Sequence, residues 1–304
     1  MWLQFFSMIS IHFLVPFTFL TTLGKKANNK LTGLSWLLLS LFYIVYIYTT
    51  GSWDWLGYYF RYGLVAGLLF AVYRAYRNHK RAPFWPERTW KSWSGAVFPF
   101  VLSLVFMFIS IYSILGRYYT EDPIALHFPL KNGRYYVAHG GNTPMMNYHN
   151  EYLPQQFALD IVKINTWGFR TKGWYPDDLH KYAIYGDKLY SPCSGIVRKA
   201  VDGFEDRLPS DFKNGLPEGT HPAGNHVVIE CDGTEVYVAH MQKGSVQVQE
   251  GDAVDENRWI GNVGNSGNTS EPHLHIHAEK NGIGVPITFG DRFLIRNSLI
   301  RSVE

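Results

Sequence analysis

The sequence predicts two unlike parts in succession: a membrane bundle of four α-helices, then an all-β domain built on antiparallel sheet. Three observations carry this prediction. The first ~115 of the 304 residues are almost entirely apolar or aromatic, whereas the remainder is rich in Gly, Asp, Asn and Pro. The apolar part breaks into four runs, each long enough to cross a bilayer core of ~30 Å, which takes about 20 helical residues. The second part breaks into short runs of β-branched and aromatic residues punctuated by turn formers.

The four runs cover about residues 2–23, 31–50, 56–73 and 94–115. Four in succession argue against buried helices of a soluble domain. The first run has no basic segment ahead of it and no small-residue cleavage site, so it reads as a retained helix rather than a signal peptide. Lys25, Lys26 and Lys30 follow the first run, and Arg77, Lys80, Arg81, Arg88 and Lys91 follow the third, whereas the second loop carries only Asp54. Basic loops stay in the cytoplasm. Loops one and three are therefore expected inside, with the N-terminus and everything after Leu115 outside, which gives a multi-pass protein of the cell membrane with an extracytoplasmic C-terminal domain. Trp36, Trp53, Trp55 and the Tyr58, Tyr59, Tyr62 group fit interfacial anchors, and Arg61 fits a snorkelling cation. His12 is the one titratable candidate deep in a span, and a lone helix histidine is an argument for packing, not for a transport path. The lipid bilayer is thus one expected partner.

Residues 116–127 read as a linker and residues 128–300 as the outer domain. Within that domain "KLYSPCSGIVRKAV", "NHVVIEC", "EVYVAHM" and "GSVQVQEG" read as strands, and Thr166 to His180 as a long polar loop of the kind that carries substrate contacts. Cys193 and Cys231 permit a disulfide in an oxidising compartment without establishing one. The net charge is +3, with no basic stripe, no repeat and no low-complexity tract, so a nucleic-acid partner is not expected. Oligomeric state is not legible.

In "NTSEPHLHIHAE", His273, His275 and His277 fall on alternate positions. On a strand, alternate side chains leave the same face, and imidazoles so placed suit a zinc site. Around them, "GNVGNSGNTSEPHLHIHAE" preceded by "EVYVAHMQKGSVQVQEGDAVDENRWIG" resembles the catalytic core of the lysostaphin and LytM-type zinc metallopeptidases. The likeness extends upstream through "YSPCSGIV", "GNHVVIE" and "FALDIV", covering about Gln155 to Ala278, and excludes the membrane half. The resemblance implies a LytM-like antiparallel sheet, bound Zn2+, and a peptidoglycan peptide as substrate, cut at a cross-bridge or stem-peptide amide.

The resemblance assigns roles residue by residue. Asp160 matches the aspartate ligand and His275 the ligand histidine of the His-x-His pair, while His240 and His273 match the two catalytic histidines beside the metal. The histidine expected four residues before the aspartate is replaced by Gln156. His149, in the loop leading to that strand, is the candidate to fill the empty corner. His277 and Gln156 are expected beyond the ligand set, in the surrounding shell or groove. No His-Glu-x-x-His segment occurs. His226 reads as packing or as a groove wall, and His139, His180 and His221 as solvated. The leading expectation is a membrane-anchored zinc metalloendopeptidase of the cell wall. A catalytically silent relative that binds wall peptide or a partner enzyme is the second reading. The "GSVQVQEGDAV" hairpin also resembles lipoyl and biotinyl carriers, but no modification lysine sits at its tip.

Overall fold

The computed structural model describes residues 2–26 and 28–303. The chain forms two compact units: one holds the chain up to Gly51 together with Tyr59–Ile114, and the other holds Ser52–Tyr58 together with everything from Leu115 onward.

The helical unit consists of α1 (Leu3–Leu23), α2 (Lys30–Thr50), α3 (Phe60–His79) and α4 (Trp90–Leu115). α1 carries a π turn at Ser10–Leu14 just before Pro16. Proline cannot donate to the preceding turn, so local rewinding is a natural response, and the Tyr43 hydroxyl donates to the Ile11 carbonyl at 2.7 Å. α2 starts at an N-cap, with the Asn29 side chain accepting from Thr32 N–H at 2.8 Å. Of the four helices, α1, α2 and α4 are long and apolar enough to cross a membrane. α3 carries Arg61, Arg74 and Arg77 and falls outside that group, so three of the four expected spans are supported by length and apolarity. The third run also begins later than residue 56: Gly57 at φ 91° turns the chain, and the helix starts at Phe60. Arg61 does not snorkel to water. It is buried, with its guanidinium carbon 3.6 Å from the centre of the Tyr48 ring, a cation over the negative face of an aromatic system.

The second unit is built on a nine-stranded sheet. Its strands are β1 (Gly133–His139), β2 (Leu159–Lys163), β3 (Gly195–Val201), β4 (Asn225–Cys231), β5 (Thr234–Met241), β6 (Ala253–Val254), β7 (Leu274–Lys280), β8 (Ile283–Val285) and β9 (Leu299–Ser302). The order is β9-β1-β2-β7-β5-β4-β3-β6, with β8 also on β7, and every pairing is antiparallel. β4 and β5 join through Asp232-Gly233, both at positive φ, the Asp-Gly signature of a tight hairpin. Alternation sorts the two faces. Leu159, Ile161, Val236, Val238, Leu274 and Ile276 enter one core, which leaves Asp160, His275 and His277 on the opposite face.

Residues 116–127 are not linker throughout. Ile124–Leu126 pairs in parallel with Ile287–Phe289, because Leu126 is drawn into the core cluster and fixes the strand. Cys193 and Cys231 are joined by a disulfide, with Cα atoms 6.1 Å apart.

Candidate metal centre

The centre is assembled by strand register. His275 on β7 stands opposite Asp160 on β2 and, on its other side, opposite Ala239 on β5, one residue before His240. His275 Nδ1 lies 2.9 Å from Asp160 Oδ1. His149 comes from a short 3₁₀ turn, Tyr148–Glu151, whose start is fixed by the Asn147 side chain accepting from His149 N–H. The turn brings His149 Nε2 to 3.0 Å from Asp160 Oδ2. The donor atoms of His149, Asp160 and His275 all fall within 4.8 Å of one another, as do those of His240, His273 and His275. Two imidazole nitrogens and a carboxylate are the ligand types zinc takes, and ligands ~2.0–2.2 Å from a tetrahedral ion stand about 3.3 Å apart. The His149, Asp160 and His275 set therefore fits a zinc ion. Gln156 turns away, its amide donating to the Gly284 carbonyl at 3.2 Å.

His240 and His273 complete the pocket. His240 sits at φ 58°, in the left-handed region, a strain on the order of 1 kcal/mol for a side-chain-bearing residue. The local backbone holds it there: His240 N–H donates to Ala223 O, and its carbonyl accepts from Gly264 N–H. This twist re-aims the ring at the end of β5. Its Nδ1 donates to the Ser266 carbonyl at 2.8 Å, and since a carbonyl only accepts, the neutral ring carries its bare nitrogen at Nε2. Ser266 belongs to the Gly264–Gly267 turn, and a Cβ on Gly267 would meet Gly224 N at 2.4 Å, so that turn packs against backbone. His273 Nδ1 donates to the Glu271 carbonyl at 2.8 Å, leaving Nε2 3.4 Å from Asp160 Oδ1, buried and without a hydrogen-bond partner. His277 stands one pleat further on, with Nδ1 3.0 Å from His275 Nε2 and its ring stacked on Tyr237.

The electrostatics separate these groups. Burial would raise the Asp160 carboxyl, but the charges of the His149 and His273 rings and the His149 hydrogen bond outweigh it and hold the group well below its ordinary value. Burial pushes His240 and His277 well below the usual imidazole range and lowers His275, favouring the neutral rings a metal needs. Burial acts the same way on His273, but Asp160 and the Glu271 carbonyl reverse it and raise the ring above its ordinary value.

Over residues 181–286 the chain matches Peptidase family M23. The chain carries an M23 peptidase domain. The matched stretch contains His240, His273, His275 and His277, while His149, Gln156 and Asp160 precede it. No curated protein matches the sequence. Among solved structures the chain is similar to a zinc containing peptidase from Vibrio cholerae, at 18% identity over 54% of this chain and 39% of that one, TM-score 0.32. It is similar to Helicobacter pylori Csd3, at 18% identity over 58% of this chain and 35% of that one, TM-score 0.30. It is also similar to the catalytic domain of lysostaphin from Staphylococcus simulans, at 22% identity over 38% of this chain and 83% of that one, TM-score 0.23. The chain spans less than half the length of the first two.

Beside the His149, Asp160 and His275 group lies a cleft of about 370 Å³, lined by Asp160 and His273 together with residues that sequence reasoning did not assign to the site. Ser52, Asp54 and Trp55, in a stretch read from the sequence as a membrane-edge loop, form part of its wall. Trp53 is fully buried rather than interfacial, and Trp55 lies under Arg170, whose guanidinium carbon is 3.4 Å from the ring centre. Arg170 pairs with Asp54 Oδ2 at 2.9 Å and with Glu271. Arg170 lies in the long Thr166–His180 loop, where contacts were expected, but its acid partners are distant in sequence and left no local signal. His139 is not solvated: it ends β1 opposite Asp160, and its ring meets Tyr148 edge-on at 4.5 Å. Burial, then the neighbouring Arg296, push it down to about 3. His226 is a packing residue, its Nδ1 donating to Gly224 O at 2.7 Å, while His180 and His221 are exposed.

Proposed function

We propose that this chain is a membrane-anchored zinc metalloendopeptidase that cuts the peptide part of cell-wall peptidoglycan. The observation that carries the reading is the convergence of His149, Asp160 and His275 within 4.8 Å on the sheet face that also presents His240 and His273. Zinc, when bound, polarises a scissile carbonyl and acidifies a water. His149, Asp160 and His275 would hold it. His240, with its Nδ1 committed to Ser266 O, offers Nε2 to accept a proton from the attacking water. His273, anchored through Nδ1 to Glu271 O, offers Nε2 to the developing oxyanion or the leaving amine. Burial of all these rings keeps bulk water from competing for those hydrogen bonds. His277 would orient His275 through its free nitrogen, the usual work of a partner just outside a metal's ligands.

In this reading all four helices cross the membrane. α3 offers the apolar stretch 62–73 between Arg61, buried over Tyr48, at one end and Arg74 and Arg77 at the other, a length that snorkelling of Arg74 and Arg77 extends. With basic loops inside, four spans leave the M23 domain outside.

The second reading, a silent M23 domain that binds wall peptide or a partner, is favoured by Gln156 in place of the usual ligand histidine and by its amide being engaged with Gly284 O. The deciding assay measures release of new amino termini from purified cell wall by the full chain, with and without a chelator. Chelator-sensitive release supports the peptidase. No release at full zinc occupancy supports the silent domain.

A further inference from the structure

Five charged groups line the cleft beside the metal-ligand set: Asp54, Asp160, Arg170, Glu271 and Arg296. Four of them are accounted for. Asp160 is held by His149, His273 and His275, and Arg170 by Asp54 and Glu271. Arg296 remains. Among the described residues no carboxylate lies within ion-pairing distance of it. Its Nη1 lies 3.3 Å from His139 Nδ1, its Nη2 donates to Ser52 Oγ at 2.8 Å, and its Nε is buried with no acceptor.

A guanidinium is always charged and has five N–H groups in a fixed fork. Here two are used, both toward neutral acceptors, because a ring nitrogen that accepts from arginine carries no proton. A buried donor without an acceptor is costly, and a positive charge without a counter-ion in a cleft wall adds to that cost. His139 and Ser52 therefore position a charged fork whose remaining partner must come from outside the chain. A planar carboxylate is the group that matches the fork in both shape and charge.

We propose that Arg296, positioned by His139 and Ser52, forms a subsite for a free carboxylate of the peptide that occupies the cleft. The assignment rests on the peptidase or peptide-binding reading of the site. It adds a selectivity that neither reading supplies: peptides with a free carboxylate are preferred over their amides. The subsite adjoins the metal centre, because His139 stands opposite Asp160 in the strand register.

The test uses the purified full chain and two synthetic wall stem peptides that differ in one respect, a free terminal carboxylate against its amide. Equilibrium binding is measured for both, so the result does not depend on turnover. The native chain is expected to bind the acid about 10- to 100-fold more tightly, the range for a charge-assisted hydrogen-bonded pair. Arg296→Gln should bring the two affinities to within about two-fold of each other, and Arg296→Lys, which keeps the charge but not the fork, should retain part of the preference. Equal affinity of the native chain for acid and amide overturns the subsite, whatever the variants do. An undiminished preference in Arg296→Gln also overturns it. Tight, acid-selective binding without cleavage leaves the subsite standing and removes the peptidase reading instead.

Discussion

His149 Nε2 stands 3.0 Å from Asp160 Oδ2, with the two residues 11 positions apart in sequence and both buried. In the proposed zinc site the ring takes the corner that Gln156 would otherwise fill, the Gln156 amide being turned to Gly284 O. Metal analysis of the full chain should find one zinc per molecule, with occupancy lost in the Asp160→Ala and His275→Ala variants and lowered in His149→Ala. Normal zinc content in His149→Ala would remove this histidine from the ligand set.

Replacing Gln156 by histidine should not restore zinc to the His149→Ala variant. The side chain at 156 packs beside Gly284, where a Cβ on that glycine would already lie 3.0 Å from Gln156 Cγ, so a new ring there faces β8 rather than Asp160. Recovery of full occupancy in the double variant would show that the 156 position can still turn inward.

The clustered histidines were legible because a strand has a period of two: His273, His275 and His277 announced a shared face before any fold was known. Asp160 was legible only through family resemblance, since a lone Asp between apolar residues carries no periodic signal. The cleft wall was not legible. Asp54 and Trp55 sit in a hydrophobic stretch whose composition argued for a membrane edge, and Arg170 meets Asp54 across 116 positions of sequence. Ion pairs at such separation are set by tertiary packing, which no local pattern records. The extent of α3 was misjudged for a different reason: apolar content located the run, but the Gly57 turn and the C-terminal arginines decide where the helix lies.

His277 should matter to the metal without touching it. With zinc at His275 Nδ1, the opposite nitrogen of that ring must carry its proton, and His277 Nδ1 at 3.0 Å is placed to accept it. His277→Ala should weaken zinc affinity about 10- to 100-fold, the usual cost of losing such a partner. Competition with a chromogenic chelator reads this directly, and unchanged affinity would reduce His277 to packing against Tyr237.

His240→Ala and His273→Ala should separate chemistry from metal binding. Loss of proton transfer or oxyanion help slows turnover by about two to four orders of magnitude, while zinc content stays near that of the native chain because neither ring is assigned to the metal. Replacing Ser266 cannot remove the carbonyl that fixes the His240 tautomer, so its side-chain variants should leave the pH dependence of turnover in place. Loss of zinc from either histidine variant would move that residue into the ligand set, where the His240, His273 and His275 grouping also offers a site.

In the proposed membrane-anchored arrangement, the side on which the M23 domain lies depends on α3. If all four helices cross and the Lys25, Lys26, Lys30 loop is inside, the domain lies outside. If α3 does not cross, the same loop placement leaves the domain in the cytoplasm, because one fewer span reverses the parity. Free cysteines are absent among the described residues, both being committed to the Cys193–Cys231 disulfide, so engineered cysteines can be read against a silent background. Lys26→Cys and Lys213→Cys both lie at exposed positions. With a membrane-impermeant maleimide, four spans predict labelling of Lys213→Cys in intact cells and of Lys26→Cys only after lysis. Three spans with the same loop inside predict labelling of both only after lysis. The disulfide gives an independent readout, because such bonds persist in oxidising compartments and are rare in the cytosol. Thiol trapping of the native chain should therefore find Cys193 and Cys231 blocked until a reductant is added, and free thiols at both positions would place the domain inside.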